Sequence, residues 1–151
     1  MSIAAKETVV KIRGPEPRDY ARMAELSSQL GYKSSSEEIA RRFAAMRESP
    51  DNVVFVAETV GGEVVGWIGV FVYRSLETDT RAEISGLVVD EQKRSLGIGR
   101  QLLERAEEWA RAKSCATIGL RSNVIRDRAH EFYVRLGYEH YKTQKSFSKK
   151  L

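Results

Sequence analysis

The chain has 151 residues with 42% hydrophobic, 9% aromatic and 30% charged side chains, an ordinary globular composition of one domain's length that excludes disordered and fibrous classes. Its longest near-apolar stretch, residues 64–73, is far short of the roughly 18 residues that cross a bilayer, the N-terminus lacks a signal-peptide core, and the single cysteine, Cys115, cannot make an internal disulfide; a cytoplasmic protein without membrane contacts is expected. The net charge of +4 is unevenly placed: residues 1–93 hold 12 Lys/Arg against 15 Asp/Glu, and residues 94–151 hold 13 against 6, which suits an anion at the C-terminal third and a cation at the rest.

Thr8 to Arg13 alternates like a strand, ended by Gly14-Pro15-Glu16-Pro17. Tyr20, Met23, Leu26 and Leu30 have helical spacing, with Gly31 as C-cap, and Ser35-x-x-Glu38 is a capping box opening a second helix through Ile39, Phe43 and Met46. Strands are expected at Val53–Val60 and Glu63–Tyr73, joined by Gly61-Gly62, and at Ala82–Val89. Gly97 to Lys113 reads as an amphipathic helix on Ile98, Leu102, Leu103, Ala106, Trp109 and Ala110. Ala116–Arg121 reads as a strand and Asp127–Leu136 as a helix with Ala129, Phe132, Tyr133 and Leu136 on one face, closed by Gly137. Tyr138, Tyr141, Phe147 and Leu151 offer one or two closing strands. This order makes a mixed α/β sheet with helices on both faces.

The chemistry is concentrated where the apolar run Leu87-Val88-Val89 feeds the turn Arg94-Ser95-Leu96-Gly97-Ile98-Gly99-Arg100 and the turn opens a helix. Main-chain N–H groups at a helix start are unpaired and the helix dipole favours negative charge there. Gly97 and Gly99 permit close approach, and Arg94 and Arg100 add charge. This is a cradle for a pyrophosphate. A P-loop is excluded, because no G-x-x-x-x-G-K-[ST] is present. The dinucleotide fingerprint is excluded too, because its third glycine would fall on Leu102.

Arg94-x-x-Gly97-x-Gly99, with the apolar strand upstream and Ala129-x-x-Phe132-Tyr133-x-x-x-Gly137-Tyr138 downstream, resembles the acetyl-CoA signature of the GNAT N-acetyltransferase superfamily. The resemblance implies a single domain over residues 1–151 with a mostly antiparallel sheet of six to seven strands flanked by about four helices. It implies acetyl-CoA as cofactor, its pyrophosphate on residues 94–100 and its pantetheine arm paired with Leu87, Val88 and Val89 like an added strand. Many members carry an asparagine where this chain has Arg126. Two readings stay open there: Asn123 takes over the pantetheine contact, or Arg126 reaches a phosphate.

Acetyl transfer to an amine poses two proton problems. An alkylamine is only about one part in 10³ neutral at pH 7, and the departing thiolate leaves more readily when protonated. Tyr133 matches the family's tyrosine acid, and Glu83, eleven residues before Arg94, stands where histone-type members place a general base. A core tyrosine, and a glutamate that merely anchors a cation, are the competing readings. The acceptor pocket is expected from Leu30, Tyr32 and Tyr73, with Gln29, Gly31 and Trp67 nearby; aromatics beside a carboxylate suit an ammonium group. His130, His140 and Cys115 form no metal-ligand pattern; Cys115 reads as a small buried residue. The expected activity is N-acetylation of a cationic small-molecule amine, polyamine-like or aminoglycoside-like. The alternatives are acetylation of a protein N-terminus or lysine, a non-catalytic CoA-binding regulator, and a basic nucleic-acid-binding module, although no Lys/Arg run with interleaved aromatics supports the last. Homodimer formation through the C-terminal strands, with Tyr141 and Phe147 exposed, would agree with the family.

Overall fold

The structure, a computed structural model, describes residues 7–122 and 124–151. The chain divides into two compact units, Met1–Leu120 and Arg121–Leu151. In the first, β1 (Val10–Arg13) leads through a short 3-10 turn, Pro17–Asp19, into α1 (Tyr20–Gln29) and α2 (Ser36–Met46). Then come β2 (Asn52–Thr59), β3 (Val64–Tyr73), β4 (Arg81–Val89), α3 (Ile98–Ala112) and β5 (Ile118–Leu120). The second unit holds α4 (Asp127–Arg135) and the segment after it.

Local chemistry sets these boundaries. Ser35 and Glu38 close the expected capping box, the Glu38 N–H donating to Ser35 Oγ and the Ser35 N–H to Glu38 Oε1, both at 3.1 Å. In the β2–β3 hairpin the Gly62 N–H donates to the Thr59 carbonyl at 2.9 Å and the Thr59 N–H to the Glu63 carbonyl at 2.8 Å. Along α3, Ile98, Leu102, Leu103, Ala106 and Ala110 are buried, one stripe at helical spacing.

The five strands lie in chain order, β1 to β4 antiparallel and β5 parallel to β4. A parallel neighbour requires a crossover, and α3 supplies it. Side chains alternate between faces. Val54, Val56 and Val88 meet Met23 and Leu26 of α1, with Phe43 and Met46 of α2 packed against them. On the other face, a Cβ at Gly66 would touch Leu102 of α3. Helices therefore cover both faces of the sheet, as expected.

The strand number is corrected from six or seven to five. Among the described residues no strand lies beyond Leu120, so the expected closing strands at Tyr138, Tyr141, Phe147 and Leu151 are not formed. Tyr141, Phe147 and Leu151 would share one face of a strand, but Thr143, Lys145 and Lys149 lie between them on that face, so no continuous apolar face is available to bury, and Tyr141 and Phe147 are exposed. The expected strand at Ala116–Arg121 contracts to Ile118–Leu120.

At the start of α1 the Arg13 guanidinium grips Asp19 with two hydrogen bonds, at 2.7 and 3.1 Å, and its Nε donates to Glu58 at 2.9 Å. Asp19 is buried. Its hydrogen bonds from Arg13, helped by the Glu16 N–H, hold its carboxyl below the ordinary value against the opposing effect of burial. A depressed folded-state pKa stabilises the fold above the unfolded value, and that contribution is lost as pH falls through the folded one. Asp19→Asn is expected to lower stability by about 2 kcal/mol at pH 7. The gap to the wild type should shrink below about pH 4, which thermal melts across pH 3–7 would measure; a constant gap would assign the loss to packing alone.

Candidate active site

β4 pairs with β3 along its whole length but has a second partner only near its start. Gly69 of β3 faces Gly86, while the next residue, Val70, faces Ile84, so Ser85 is an extra residue and β4 bulges there. Before the bulge, Ala82, Glu83 and Ile84 pair with β5. Beyond it, among the described residues, no strand pairs with the outer edge of Leu87, Val88 and Val89. The Asp90 N–H donates to the Val65 carbonyl of β3 at 2.8 Å. By the alternation of main-chain groups, Val88 also faces β3, and Leu87 and Val89 turn their N–H and C=O groups to the vacant edge.

The edge runs into a structured turn. Asp90 starts a 3-10 turn, Glu91–Lys93, by accepting from the Gln92 N–H at 3.2 Å. Arg94 is extended and exposed, Ser95 has φ 66°, and Gly97 has φ 79° at the N-cap of α3. That left-handed value is the one glycine tolerates without a Cβ penalty. The first main-chain bond of α3 runs from the Gln101 N–H to the Gly97 carbonyl at 3.1 Å. The N–H groups of Ile98, Gly99 and Arg100 therefore have no carbonyl partner within the helix.

Two anchors hold this turn. Arg22 of α1 donates to Asp90 at 2.7 Å and to the Val64 carbonyl at 2.9 Å, and Gln29 accepts from the Glu91 N–H at 3.0 Å. Burial pushes the Asp90 carboxyl up, but bonds from Gln92, Arg22 and Gln29 outweigh it and leave the carboxyl below its ordinary value. From the other side, the Thr8 N–H donates to the Leu96 carbonyl at 2.9 Å and Gln101 Nε2 to the Thr8 carbonyl at 2.8 Å. Glu7 forms an ion pair with Arg100, which is also 3.9 Å from Glu104. Arg100 is thus a partnered cation. Sequence reasoning missed Arg22, Asp90 and Glu7 and placed Gln29 beside the acceptor pocket instead of on this turn, because the contacts of these residues with the turn join positions 61 to 93 apart, and no local pattern carries them.

Glu83 is buried on the sheet face that α1 and α2 cover, directly opposite Phe71, with Tyr73 facing Arg81 two pairs further. Arg81 Nη2 stands 3.3 Å from Glu83 Oε1, and its guanidinium lies over the Tyr73 ring at 4.4 Å. On β5, Gly119 faces Glu83, and nothing lies within 4 Å of the position its Cβ would occupy. Trp67 belongs to the same face, its indole edge against Gly86. Of the expected acceptor wall, Leu30 packs into the core, Tyr32 points outward at 72% exposure, and Tyr73 is covered by Arg81.

In the second unit, Tyr133 is half-buried on α4, edge-on to Phe132 at 5.3 Å and to Tyr138 at 6.0 Å. Burial pushes its phenol pKa up, with Arg126 pulling weakly the other way, so the hydroxyl keeps its proton at neutral pH. Arg126 is the exposed N-cap residue of α4, and Asn123 lies outside the described residues. Cys115 is half-buried rather than buried, and its thiol pKa is raised by burial. His140 is exposed, its Nε2 at 3.0 Å from both the Lys142 carbonyl and Thr143 Oγ1.

Residues 20–138 match the acetyltransferase (GNAT) family. Over 122 residues, 80% of this chain and 76% of the relative, the sequence is 37% identical to an aminoalkylphosphonate N-acetyltransferase of Salmonella typhimurium strain LT2. Glucosamine-6-phosphate N-acetyltransferase of Arabidopsis thaliana superposes with a TM-score of 0.81 at 25% identity, covering 94% of this chain and 99% of that one. A protein of Bacillus halodurans C-125, described as a transcriptional regulator, superposes with a TM-score of 0.78 at 26% identity over 92% and 100% of the two chains. With the family's fold, its Arg94-x-x-Gly97-x-Gly99 turn and these relatives together, the chain belongs to the GNAT acetyltransferase family and is an acetyl-CoA-dependent N-acetyltransferase.

Proposed function

We propose that this chain moves the acetyl group of acetyl-CoA directly to a primary amine of a small molecule. The observation that carries this reading is the vacant β4 edge, which leads through a left-handed glycine into the N-terminus of α3. Leu87 and Val89 have main-chain groups free for an amide-bearing pantetheine arm. The N–H groups of Ile98, Gly99 and Arg100, with the Arg94 side chain, suit a pyrophosphate. A Cβ at Gly97 would stand 3.0 Å from the Glu7 side chain, so this place is shaped for a residue without one. When bound, acetyl-CoA supplies an acetyl group activated as a thioester.

The chain's own groups handle the protons. Glu83 draws the ammonium and accepts its proton at a carboxylate oxygen. Tyr133 Oη holds the proton that the departing sulfur takes up.

The net negative charge of residues 1–93 supports an acceptor with cationic character, such as a polyamine-like or aminoglycoside-like amine. The relatives' names, aminoalkylphosphonate and glucosamine 6-phosphate acetyltransferase, support amines that also carry a phosphorus oxyanion. Both favour a small molecule over a protein amino group.

Thermal unfolding with and without acetyl-CoA, followed by thiol release across an amine panel, tests the reading. At 100 times Kd a specific ligand adds ~2.7 kcal/mol, at about 2–4 °C per kcal/mol for a chain of this size. No shift at millimolar acetyl-CoA would reduce the turn to a helix start. Glu83→Gln is expected to cut kcat about 10²-fold at pH 7 and to regain activity as pH approaches the amine pKa. Full activity at pH 7 would leave Glu83 outside the chemistry.

A further inference from the structure

We propose that Arg81 and Glu83 form a charge pair that opens to an acceptor carrying both charges: the acceptor's ammonium takes Glu83, and an anionic arm, phosphonate, phosphate or carboxylate, takes Arg81. This deepens the small-molecule amine reading and rests on it.

Four observations converge on the pair. Both side chains are largely buried, at 20% and 12% exposure, with 3.3 Å between Nη2 and Oε1. The Tyr73 ring, opposite Arg81 on the face that carries Glu83, is already occupied by the Arg81 guanidinium at 4.4 Å. It therefore cannot also receive a substrate ammonium on that face. Arg81 Nε is buried with no hydrogen-bond partner, and an unpaired buried donor calls for an acceptor. Finally, the sheet surface beside Glu83 is bare, because Gly119 contributes no side chain and nothing approaches its Cβ position.

Charge pairing then selects the ligand. An ammonium that approached Glu83 alone would meet the Arg81 cation and would strip it of its partner. An uncompensated charge in a poorly hydrated site is strongly unfavourable. An amine with an anionic arm exchanges one internal pair for two external ones, and neither buried charge is left alone. The guanidinium fork matches a phosphonate, phosphate or carboxylate through two parallel hydrogen bonds, and Tyr73 keeps its plane fixed. Arg81 is therefore the residue that sets acceptor specificity, and a polycation is the disfavoured class.

The test compares 2-aminoethylphosphonate, β-alanine, propylamine and putrescine as acceptors for the full chain with saturating acetyl-CoA. The wild type is expected to favour the two anion-bearing amines over propylamine by roughly 10- to 100-fold in kcat/KM, the worth of a charge-assisted hydrogen bond. Arg81→Gln should bring that ratio close to one through KM, while the acetyl-CoA melting shift is kept. Arg81→Lys, which keeps the charge but not the fork, should leave an intermediate ratio and covers the case of a poorly folded glutamine variant. A wild type that uses propylamine or putrescine as well as the anion-bearing amines overturns the proposal. So does an Arg81→Gln ratio equal to the wild-type ratio. If none of the four amines is acetylated although acetyl-CoA raises the melting temperature, the small-molecule amine reading itself falls, and this proposal with it.

Discussion

Tyr133→Phe is expected to lower kcat by about 10²- to 10⁴-fold, the range of a positioned general acid, with the acetyl-CoA melting shift and the unfolding temperature close to those of the wild type. Phenylalanine keeps the ring and its edge-on contacts to Phe132 and Tyr138 and removes only the hydroxyl. Loss of turnover without loss of stability would therefore separate proton donation from packing. Burial raises the Tyr133 pKa, so the phenol stays protonated through neutral pH and the acid form is lost only as pH rises above the ordinary tyrosine value of ~10. Steady-state kinetics at saturating acetyl-CoA makes the measurement. Unchanged kcat would remove Tyr133 as the acid and leave it a packing residue.

The second large effect is expected at Gly97, and it should appear in binding rather than in turnover. Gly97→Ala forces a Cβ into a left-handed conformation at φ 79°, which costs roughly 1–2 kcal/mol, and brings that Cβ to 3.0 Å from the Glu7 side chain. The flexible end of Glu7 can yield, but the backbone preference cannot. Relaxation toward negative φ would rotate the peptide leading into α3 and spoil the alignment of the N–H groups at Ile98 and Gly99. Kd for acetyl-CoA should rise about tenfold or more, measured by calorimetry, with kcat at saturation largely kept. An unchanged Kd would mean that the turn does not carry the cofactor. Tyr133→Phe and Gly97→Ala should thus divide kcat from KM in opposite ways.

Local signals in the sequence were read well where one short segment carried both the pattern and its cause. The capping box at Ser35 and Glu38, the hairpin glycines at 61 and 62, the buried stripe of α3 and the glycine turn before it are of this kind. The closing strands failed because Thr143 and Lys145 separate Tyr141 from Phe147 on the face they would share, and a strand needs a continuous apolar face to bury. The acceptor wall was less legible still. Tyr32 sits in a loop next to a C-cap glycine but points to solvent, and Tyr73 is an aromatic whose ring is taken by Arg81.

The sequence alone determined this protein's family and its strand-to-glycine-turn-to-helix pattern, and it supplied Tyr133 and Glu83 as the candidates for proton transfer. All of these reside in residue types at fixed short spacing, and a left-handed glycine at a helix start is a local feature of that kind. Tertiary structure decided what no short spacing can encode. The bulge at Ser85 separates the β5-paired part of β4 from its vacant edge. The Arg22–Asp90 bond and the Thr8–Leu96 bond pin the turn across long loops. The register that sets Tyr73 opposite Arg81 and Gly119 opposite Glu83 is a property of strand pairing, and one residue of slip would send each of those side chains to the other face.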